Sequence, residues 1–288
     1  MNPQDPETVM VMAKVERGEN VRARGEDMRK GGQVFVQGTS LSVGALGLLA
    51  ALGLRETAVV RAPRIGLLAT GNELREPGRP LSTFSGGAIY ECNRTLLAPL
   101  VAQAGAIPKP YPIIHDTEGA IQIALQKAFA QCDGVITTGG VSVGELDFVK
   151  EAFEKLGGRV SFWKVAMKPG KPLVFGRLGE KLFFGLPGNP VSALVTFLLL
   201  VRPALRRLLG ATNVSLARQT GTLADALVNH AERRHFMRVR VDETGRLHST
   251  GTQASHILSS LAASNGLVDV PAQTTLPAGT EVTVLRWD

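Results

Sequence analysis

The stretch that decides the fold is Thr137-Thr138-Gly139-Gly140-Val141-Ser142-Val143-Gly144-Glu145-Leu146-Asp147. It follows a short apolar run, Gly134-Val135-Ile136, and leads into a helix-like segment from Phe148 to Leu156. Adjacent glycines after a strand let the backbone approach an anion closely, and N–H groups at a helix start favour negative charge. Glu145 and Asp147 add carboxylates of the kind that hold a hard cation against such an anion.

Two segments downstream of this turn point to the same chemistry. The run from Trp163 to Pro172 contains three lysines, Lys164, Lys168 and Lys171, and lysine is a compact partner for phosphates and other oxyanions. Gly185-Leu186-Pro187-Gly188-Asn189-Pro190 then forms a rigid turn that opens another helix. Together, the glycine turn, the two carboxylates and the lysine cluster predict an active site that binds phosphates and other oxyanions.

The turns lie in a region of alternating strands and helices between Arg64 and Ala211. The predicted strands are Ile65–Ala69, Ile107–Ile114, Gly134–Thr137, Leu173–Phe175 and Leu182–Phe184, and the predicted helices are Asn93–Gly105, Glu118–Cys132, Asp147–Leu156 and Pro190–Leu209. Short apolar strands separated by helices favour a parallel sheet covered on both faces, with ligands beyond the carboxyl ends of the strands. Neither a GxGxxG nor a GxxxxGK[ST] motif occurs there, which argues against the dinucleotide-binding and Walker classes.

The chain is predicted to divide into three segments, 1–61, 62–211 and 212–288. In the last, the helical period is lost and short valine-rich runs alternate with Gly and Pro turns, which predicts a small β-barrel or sandwich; these runs are Phe236–Val241, Leu247–Ser249, Gly266–Val270 and Glu281–Leu285. In the first, Thr8–Val15 alternates as a strand does. Leu41–Leu54 is predicted to be a helix, and its apolar stripe is predicted to pack against a second subunit; the stripe comprises Leu41, Ala45, Leu48, Leu49 and Leu52. Segment 1–61 has too few apolar residues for a core of its own.

Composition and charge exclude several functions. The net charge of +7 is scattered in small groups and aromatics are only 5%, which argues against nucleic-acid binding. The longest apolar run, Val191–Val201, is too short to span a membrane, and Met1 is not followed by a secretory signal. The two cysteines, Cys92 and Cys132, imply no disulfide framework and fit the cytoplasm, while no histidine has zinc-ligand spacing.

Six motifs in order along the chain resemble the molybdopterin molybdotransferase family, which includes the bacterial MoeA proteins and the C-terminal domain of gephyrin. The resemblance runs from about Glu16 to the C-terminus and rests on Arg24-Gly25-Glu26-Asp27, Thr70-Gly71-Asn72-Glu73-Leu74, Ile89-Tyr90-Glu91-Cys92-Asn93, Thr138-Gly139-Gly140-Val141-Ser142-Val143-Gly144-Glu145, Lys168-Pro169-Gly170-Lys171-Pro172 and Leu186-Pro187-Gly188-Asn189-Pro190. Glu91 and Cys92 depart from the Tyr-Asp-Ser-Asn pattern common in the family.

The resemblance implies a fold and a reaction. The fold is a central molybdopterin-binding three-layer α/β/α domain with a mostly parallel sheet, a small C-terminal β-barrel and, at residues 1–61, a remnant of the N-terminal dimerisation region. The reaction is insertion of molybdate into adenylylated molybdopterin, with Mg²⁺-dependent release of AMP, as part of molybdenum cofactor biosynthesis. The implied partners are the two substrates, other proteins of molybdenum cofactor biosynthesis, and a second copy in a homodimer.

The resemblance also assigns residues to the site. It implies that Glu73, Asp116, Asp147, Lys164 and Lys168 are catalytic. It implies substrate binding by Asp27, Thr70, Gly139, Gly140, Ser142, Gly144, Lys171, Pro187, Gly188, Asn189, Arg238 and Ser255. The metal ligands are predicted to be Asp147 and Glu145, beside the glycine turn.

Several of these residues have structural alternatives. Glu73 and Asp147 also suit the first turn of a helix, and Asp116 suits an N-cap. Asp27, Arg238 and Ser255 have alternatives as ordinary exposed or turn residues.

Two other functions stay open at this point. A shortened protein of this family binds molybdopterin or a partner enzyme without turnover. An adenylyltransferase of molybdopterin shares the central fold, but the appended β domain and the Arg-Gly-Glu-Asp segment favour the molybdotransferase.

Overall fold

The computed structural model describes residues 7, 9, 11–78, 80–83, 87–140 and 148–287. Ser142, Gly144, Glu145 and Asp147, which the sequence assigns to substrate and metal, lie outside these residues. The chain forms two compact units, Met1–Thr39 and Ser40–Asp288, and each is described by itself.

The described part of the first unit contains no helix and no strand. The prediction of β structure for Thr8–Val15 is wrong for residues 9 and 11–15, which are exposed coil. The alternation of apolar side chains there has no strand to pair with, and an unpaired strand is not stable in water. Asp27 lies in this unit and is exposed.

The second unit begins with α1 (Val43–Ala51), whose N-cap Ser42 accepts a hydrogen bond from the Ala45 N–H at 3.2 Å. One face of α1, with Ala45 and Leu49, is buried within the chain. Val43 and Leu46, on the other face, are 88% and 55% exposed. Among the described residues, no helix is long and apolar enough to cross a membrane.

The central domain follows with a six-stranded sheet and its helices. The elements are β1 (Arg64–Ala69), β2 (Leu74–Arg75), β3 (Ile89–Tyr90), α2 (Asn93–Gln103), β4 (Ile107–Pro110), α3 (Glu118–Gln131), β5 (Gly134–Thr138), α4 (Phe148–Lys155), β6 (Arg159–Trp163), β7 (Met167–Lys168), β8 (Val174–Leu178), β9 (Lys181–Leu186), α5 (Pro190–Thr196) and α6 (Arg202–Leu208). The strand order is β4-β1-β5-β9-β8-β6. The first four strands are parallel, whereas β8 and β6 run antiparallel to their neighbours.

Two apolar clusters cover the two faces of this sheet. Ile65 and Leu67 of β1 belong to the cluster with α2, α5 and α6, whereas Leu68 belongs to the cluster with α3 and α4. Successive residues of a strand point to opposite faces, so a strand buried on both faces has to be apolar throughout. The predicted three-layer α/β/α architecture with a mostly parallel sheet is therefore confirmed.

Two predicted elements differ in detail. The strand predicted over Ile107–Ile114 ends at Pro110, although Ile114 makes an isolated bridge with Thr70. The helix predicted over Pro190–Leu209 consists of α5, a five-residue π-helical segment at Phe197–Val201, and α6. Pro203 has no N–H to donate to the preceding turn, which favours the wider π geometry just before it.

The C-terminal domain is the predicted small β-barrel. It is built from β10 (Ala217–Leu223), β11 (Leu227–Asn229), β12 (Arg234–Val241), β13 (Arg246–Ser249), α7 (Leu258–Ala262), β14 (Gly266–Val270), β15 (Thr274–Leu276) and β16 (Glu281–Arg286). Five strands close in the order β13-β10-β16-β14-β12, because β12 also pairs with β13. The edge of β12 carries a sixth strand, β7, which comes from the lysine-rich segment of the central domain.

Candidate active site

A pocket of about 360 Å³ lies where the parallel strands β1, β5 and β9 end. Its lining comes from the ends of these strands and the turns after them, from β3, from the start of α2 and from the segment before β8: Thr70, Glu73, Leu74, Ile89, Asn93, Thr138, Gly139, Gly140, Pro172, Pro187, Gly188 and Asn189. The carboxyl edge of a parallel sheet is the usual place for a ligand in such folds. Seven of these residues belong to the predicted site.

Glu73 is placed by the turn that follows β1. A Cβ atom at position 71 would lie 2.8 Å from both carboxylate oxygens of Glu73, so this carboxylate folds back over the bare backbone of Gly71. The chain then continues into β2, which pairs in parallel with β3. Glu73 therefore does not begin a helix, and its alternative interpretation as a first-turn acid is wrong.

Asp116 lies beside Glu73 at the same edge of the sheet. Its backbone N–H donates to Oδ1 of Asn72 at 3.1 Å. Burial raises the pKa of Asp116 above its usual range and the charge of Glu73 raises it further, while the Thr70 hydroxyl opposes the shift. The N-cap of α3 is Thr117, whose hydroxyl accepts from the Ala120 N–H, so Asp116 does not have the capping role.

The two glycines after β5 allow a turn that no other residues fit. Gly139 and Gly140 have φ angles of 85° and 64°, which L-residues with a side chain rarely adopt. A Cβ on Gly139 would lie 2.5 Å from the Thr70 carbonyl oxygen, and one on Gly140 would lie 2.5 Å from Cγ2 of Val149 in α4. The glycines thus bring the ends of β1 and β5 together and leave bare backbone facing the pocket.

Asparagine side chains link the turn after β9 to the neighbouring elements. Nδ2 of Asn93, in the first turn of α2, donates to the Gly188 carbonyl at 2.8 Å. Nδ2 of Asn189 donates to Oγ of Ser255 in the barrel at 3.1 Å, so the barrel reaches the rim of the pocket through Ser255. Oδ1 of Asn93 and Oγ1 of Thr138 are buried without a hydrogen-bond partner among the described residues, which leaves both available to a ligand.

The three lysines lie on the hairpin between β6 and β8, outside the described lining of the pocket. Nζ of Lys164 lies 4.0 Å from the centre of the Trp163 ring, a cation–π contact, and the Lys164 N–H donates to the Leu173 carbonyl at 2.9 Å. Lys171 is exposed and precedes Pro172, which does line the pocket. Lys168 belongs to β7 and pairs with His235 in the ladder to β12.

A cluster of positive charge surrounds the buried His235. Burial, followed by the charges of Lys168 and Arg238, lowers the pKa of His235 to about 4. Arg238 is fully buried: its Nε donates to Ser260 Oγ and its Nη2 to the carbonyls of Thr252 and Ala254. Its Nη1 has no hydrogen-bond partner among the described residues. The alternative interpretation of Arg238 as an exposed strand arginine is therefore wrong.

The sequence missed several residues of the pocket. Leu74, Ile89, Asn93, Thr138 and Pro172 line it, and all five stand inside motifs that the sequence had singled out. Their side chains carry no charge, so no catalytic chemistry drew attention to them. The sequence also did not single out His235 as a buried titratable group, although the alternation of buried residues along β12 places it inside the barrel.

Comparison with known sequences identifies the family of this chain. Residues 66–207 match a family model described as a probable molybdopterin binding domain, and residues 220–287 match the MoeA C-terminal region (domain IV). Molybdopterin molybdenumtransferase 2 of Mycobacterium tuberculosis is 37% identical over 289 residues, covering 98% of this chain and 70% of that protein. The chain belongs to the molybdopterin molybdenumtransferase family.

Other family members agree with this assignment. The molybdopterin molybdenumtransferase of Haemophilus influenzae is 40% identical over 272 residues, covering 92% of this chain. This chain spans 66% of that protein's length. Among solved structures, a molybdopterin biosynthesis MoeA protein from Pyrococcus horikoshii superposes with a TM-score of 0.79 at 29% identity, over 92% of this chain and 64% of that one.

Proposed function

We propose that this chain is a molybdopterin molybdotransferase, which inserts molybdate into adenylylated molybdopterin and releases AMP in a Mg²⁺-dependent reaction. The single observation that carries the proposal is the pocket at the carboxyl ends of β1, β5 and β9. Its three glycines, Gly139, Gly140 and Gly188, offer bare backbone to a phosphate. Among the described residues Asn93 Oδ1 has no partner, so it offers a hydrogen-bond acceptor to the pterin ring. Membership of the molybdopterin molybdenumtransferase family supports molybdopterin as the substrate class.

The residues present suit a divalent cation. Among the described residues, no group of three or more His, Cys, Asp and Glu side chains gathers as a metal site. The neighbouring carboxylates of Glu73 and Asp116 nevertheless supply hard oxygen ligands, and the pKa of Asp116 is raised first by burial and then by the charge of Glu73. These two residues, with the predicted ligands Glu145 and Asp147, would hold Mg²⁺, which supplies charge neutralisation at the phosphates.

The protein's own groups would bind and orient the substrates. The glycine turn would receive the phosphates, and Asn189 with Ser255 would close the rim from the barrel side. The positive charges of Lys164, Lys168 and Lys171 would attract molybdate and phosphate toward the pocket.

The test supplies purified protein with adenylylated molybdopterin, molybdate and Mg²⁺, and measures both AMP release and cofactor formation. We expect both products to appear together, and both to be lost in Asp147→Asn, because the amide keeps the size of the side chain but not its charge. Binding of molybdopterin without any turnover would identify the non-catalytic binding module instead. Turnover of ATP with free molybdopterin would identify the adenylyltransferase.

We further propose a cytoplasmic homodimer that receives its substrate from, and passes its product to, other proteins of molybdenum cofactor biosynthesis. The exposed apolar side chains of α1, Val43 and Leu46, support a contact between two copies. Ala45 and Leu49, which the sequence had placed on the dimer-forming stripe with Leu41, Leu48 and Leu52, are buried within the chain and do not contribute to it.

A further inference from the structure

The pocket depends on a long loop between β1 and α2. Its outgoing leg, residues 71–76, carries Glu73 and Leu74, and its returning leg, residues 87–91, carries Ile89. The legs are joined by the short β2–β3 pairing, in which the Ile89 N–H donates to the Glu73 carbonyl and the Glu91 N–H to the Arg75 carbonyl, both at 2.9 Å. Two-residue strands are too short to be stable alone.

One guanidinium contacts both legs. Nη2 of Arg94 lies 2.9 Å from both carboxylate oxygens of Glu76, on the outgoing leg. Nε of Arg94 donates to Oε2 of Glu91 at 2.7 Å, on the returning leg, and Nη1 donates to the Tyr111 carbonyl just after β4. The Arg94 backbone N–H donates to Oε1 of the same Glu91 at 2.9 Å.

Burial makes this arrangement stiff. The side chains of Arg94 and Glu91 are 11% and 2% exposed, whereas that of Glu76 is 56% exposed. Burial alone would lower the pKa of the Arg94 guanidinium, but its contacts with Glu91 and Glu76 raise it above the usual value. A planar guanidinium with all three nitrogens engaged fixes its partners in direction as well as in distance.

We propose that Arg94 is a positioning residue, which fixes both legs of the 71–91 loop through Glu76 and Glu91 and thereby holds Glu73, Leu74 and Ile89 against the pocket ligand. Glu91 has this role in place of contact with substrate. The inference rests on the proposed function for the identity of the ligand, but the clamp, which is Arg94 with its partners Glu76 and Glu91, does not depend on that function.

Glu76 offers the cleanest test, because Arg94 variants leave the buried Glu91 carboxylate unpaired and risk unfolding. Glu76→Ala removes the tie to the outgoing leg and leaves the Arg94–Glu91 pair intact. Arg61→Ala is the matched control: it removes an exposed arginine–carboxylate pair, with Asp133 at 2.7 and 2.9 Å, at the amino end of β5, away from the pocket. Glu76→Gln keeps one acceptor oxygen and should behave between wild type and Glu76→Ala.

The first measurement is hydrogen exchange of the protein alone. We expect Glu76→Ala to speed exchange of the Ile89 and Glu91 amides by about tenfold, with α3 unchanged, because these amides are protected only while the legs pair. Arg61→Ala should leave both amides as in wild type. Wild-type exchange of the two amides in Glu76→Ala would overturn the proposal.

The second measurement separates KM from kcat for adenylylated molybdopterin. Loosened legs weaken the contacts of Leu74 and Ile89 with the pterin, so Glu76→Ala should raise KM about fivefold. Displacement of Glu73, a predicted catalytic residue, should lower kcat in addition. A merely structural defect would lower the folded fraction, which reduces the apparent kcat at an unchanged KM, and that result would overturn the positioning role. If wild type neither binds nor converts the pterin, the proposed function fails, while the exchange experiment still decides whether the clamp holds the legs.

Discussion

Lys168 is the predicted active-site lysine that lies in β7, the strand that pairs with the barrel. We expect Lys168→Ala to weaken binding of adenylylated molybdopterin or molybdate by about 1.5–3 kcal/mol, the usual contribution of a charged hydrogen bond. Calorimetric titration measures the change. Lys127→Ala, at an exposed position on α3, is the control and should bind as wild type does. Unchanged affinity for both ligands in Lys168→Ala would remove this lysine from the site.

His235 makes the stability of the chain dependent on pH. Its pKa is about 4 in the folded state, below its ordinary value, because burial and two neighbouring cations disfavour the charged imidazolium. A group with a lowered pKa stabilises the fold fully above its unfolded-state pKa of about 6.5, and this contribution is lost as the pH falls toward 4. Between pH 7 and pH 4.5, His235 should account for a loss of about 2 kcal/mol in the free energy of unfolding.

A variant without a titrating group tests this assignment. His235→Leu should lose less unfolding free energy than wild type over the same pH interval, as measured by urea denaturation at each pH. His248, a half-exposed barrel histidine that contacts Asp242, serves for comparison, since its removal leaves the buried His235 in place. Parallel losses in wild type and His235→Leu would show that His235 does not cause the acid sensitivity.

The turn after β5 should tolerate a methyl group far less well than other turns of the same shape. Gly139→Ala places a Cβ 2.5 Å from the Thr70 carbonyl oxygen, in addition to the cost of a φ of 85°. Gly157→Ala pays only the conformational cost, because its φ is 86° but nothing lies within 4 Å of its Cβ. We expect about 1 kcal/mol of destabilisation at Gly157 and about 3 kcal/mol at Gly139, measured by thermal unfolding. Equal losses would show that the contact between the ends of β1 and β5 is not tight.

Elements that bury both faces were predictable from the sequence, and elements defined by their partners were not. β1 and β5 are recognisable in the sequence as apolar runs. The turns after them contain glycines whose positive φ angles favour glycine over other residues. β2, β3 and β7 are two residues long, and each exists only because a partner strand lies beside it. No periodicity can be read from two residues.

The same reasoning applies to the candidate site. Glu73 and Asp116 were singled out from the sequence, and the structure brings these two carboxylates together. The role of Glu91 was not found, because an ion pair with Arg94 depends on how α2 begins and on which way the side chain turns. Whether Lys164 reaches a ligand or stays over the Trp163 ring is equally a matter of side-chain direction.

At the scale of the whole molecule, the exposed face of α1 should decide the oligomeric state. Val43→Lys with Leu46→Lys places two charges on the proposed contact, where burying them unpaired is costly. We expect sedimentation to show a dimer for wild type and a monomer for the double variant, with loss of molybdate insertion if the dimer completes the site. Ile123→Lys, at an isolated apolar position on α3 that is 69% exposed, should remain dimeric. A wild-type chain that is monomeric and fully active would refute the proposal.

The strand β7 ties the central domain to the barrel in a way that bears on any attempt to cut the molecule. Its two residues precede β8 and β9 in the chain, yet they hydrogen-bond to Arg234 and His235 of the barrel. A fragment that starts at residue 212 would keep all five barrel strands but would uncover the edge of β12 and admit water to an imidazole that is 2% exposed. The central domain and the barrel are therefore expected to unfold in one calorimetric transition. A recombinant that joins two relatives at residue 211 would have to exchange β7 together with the barrel.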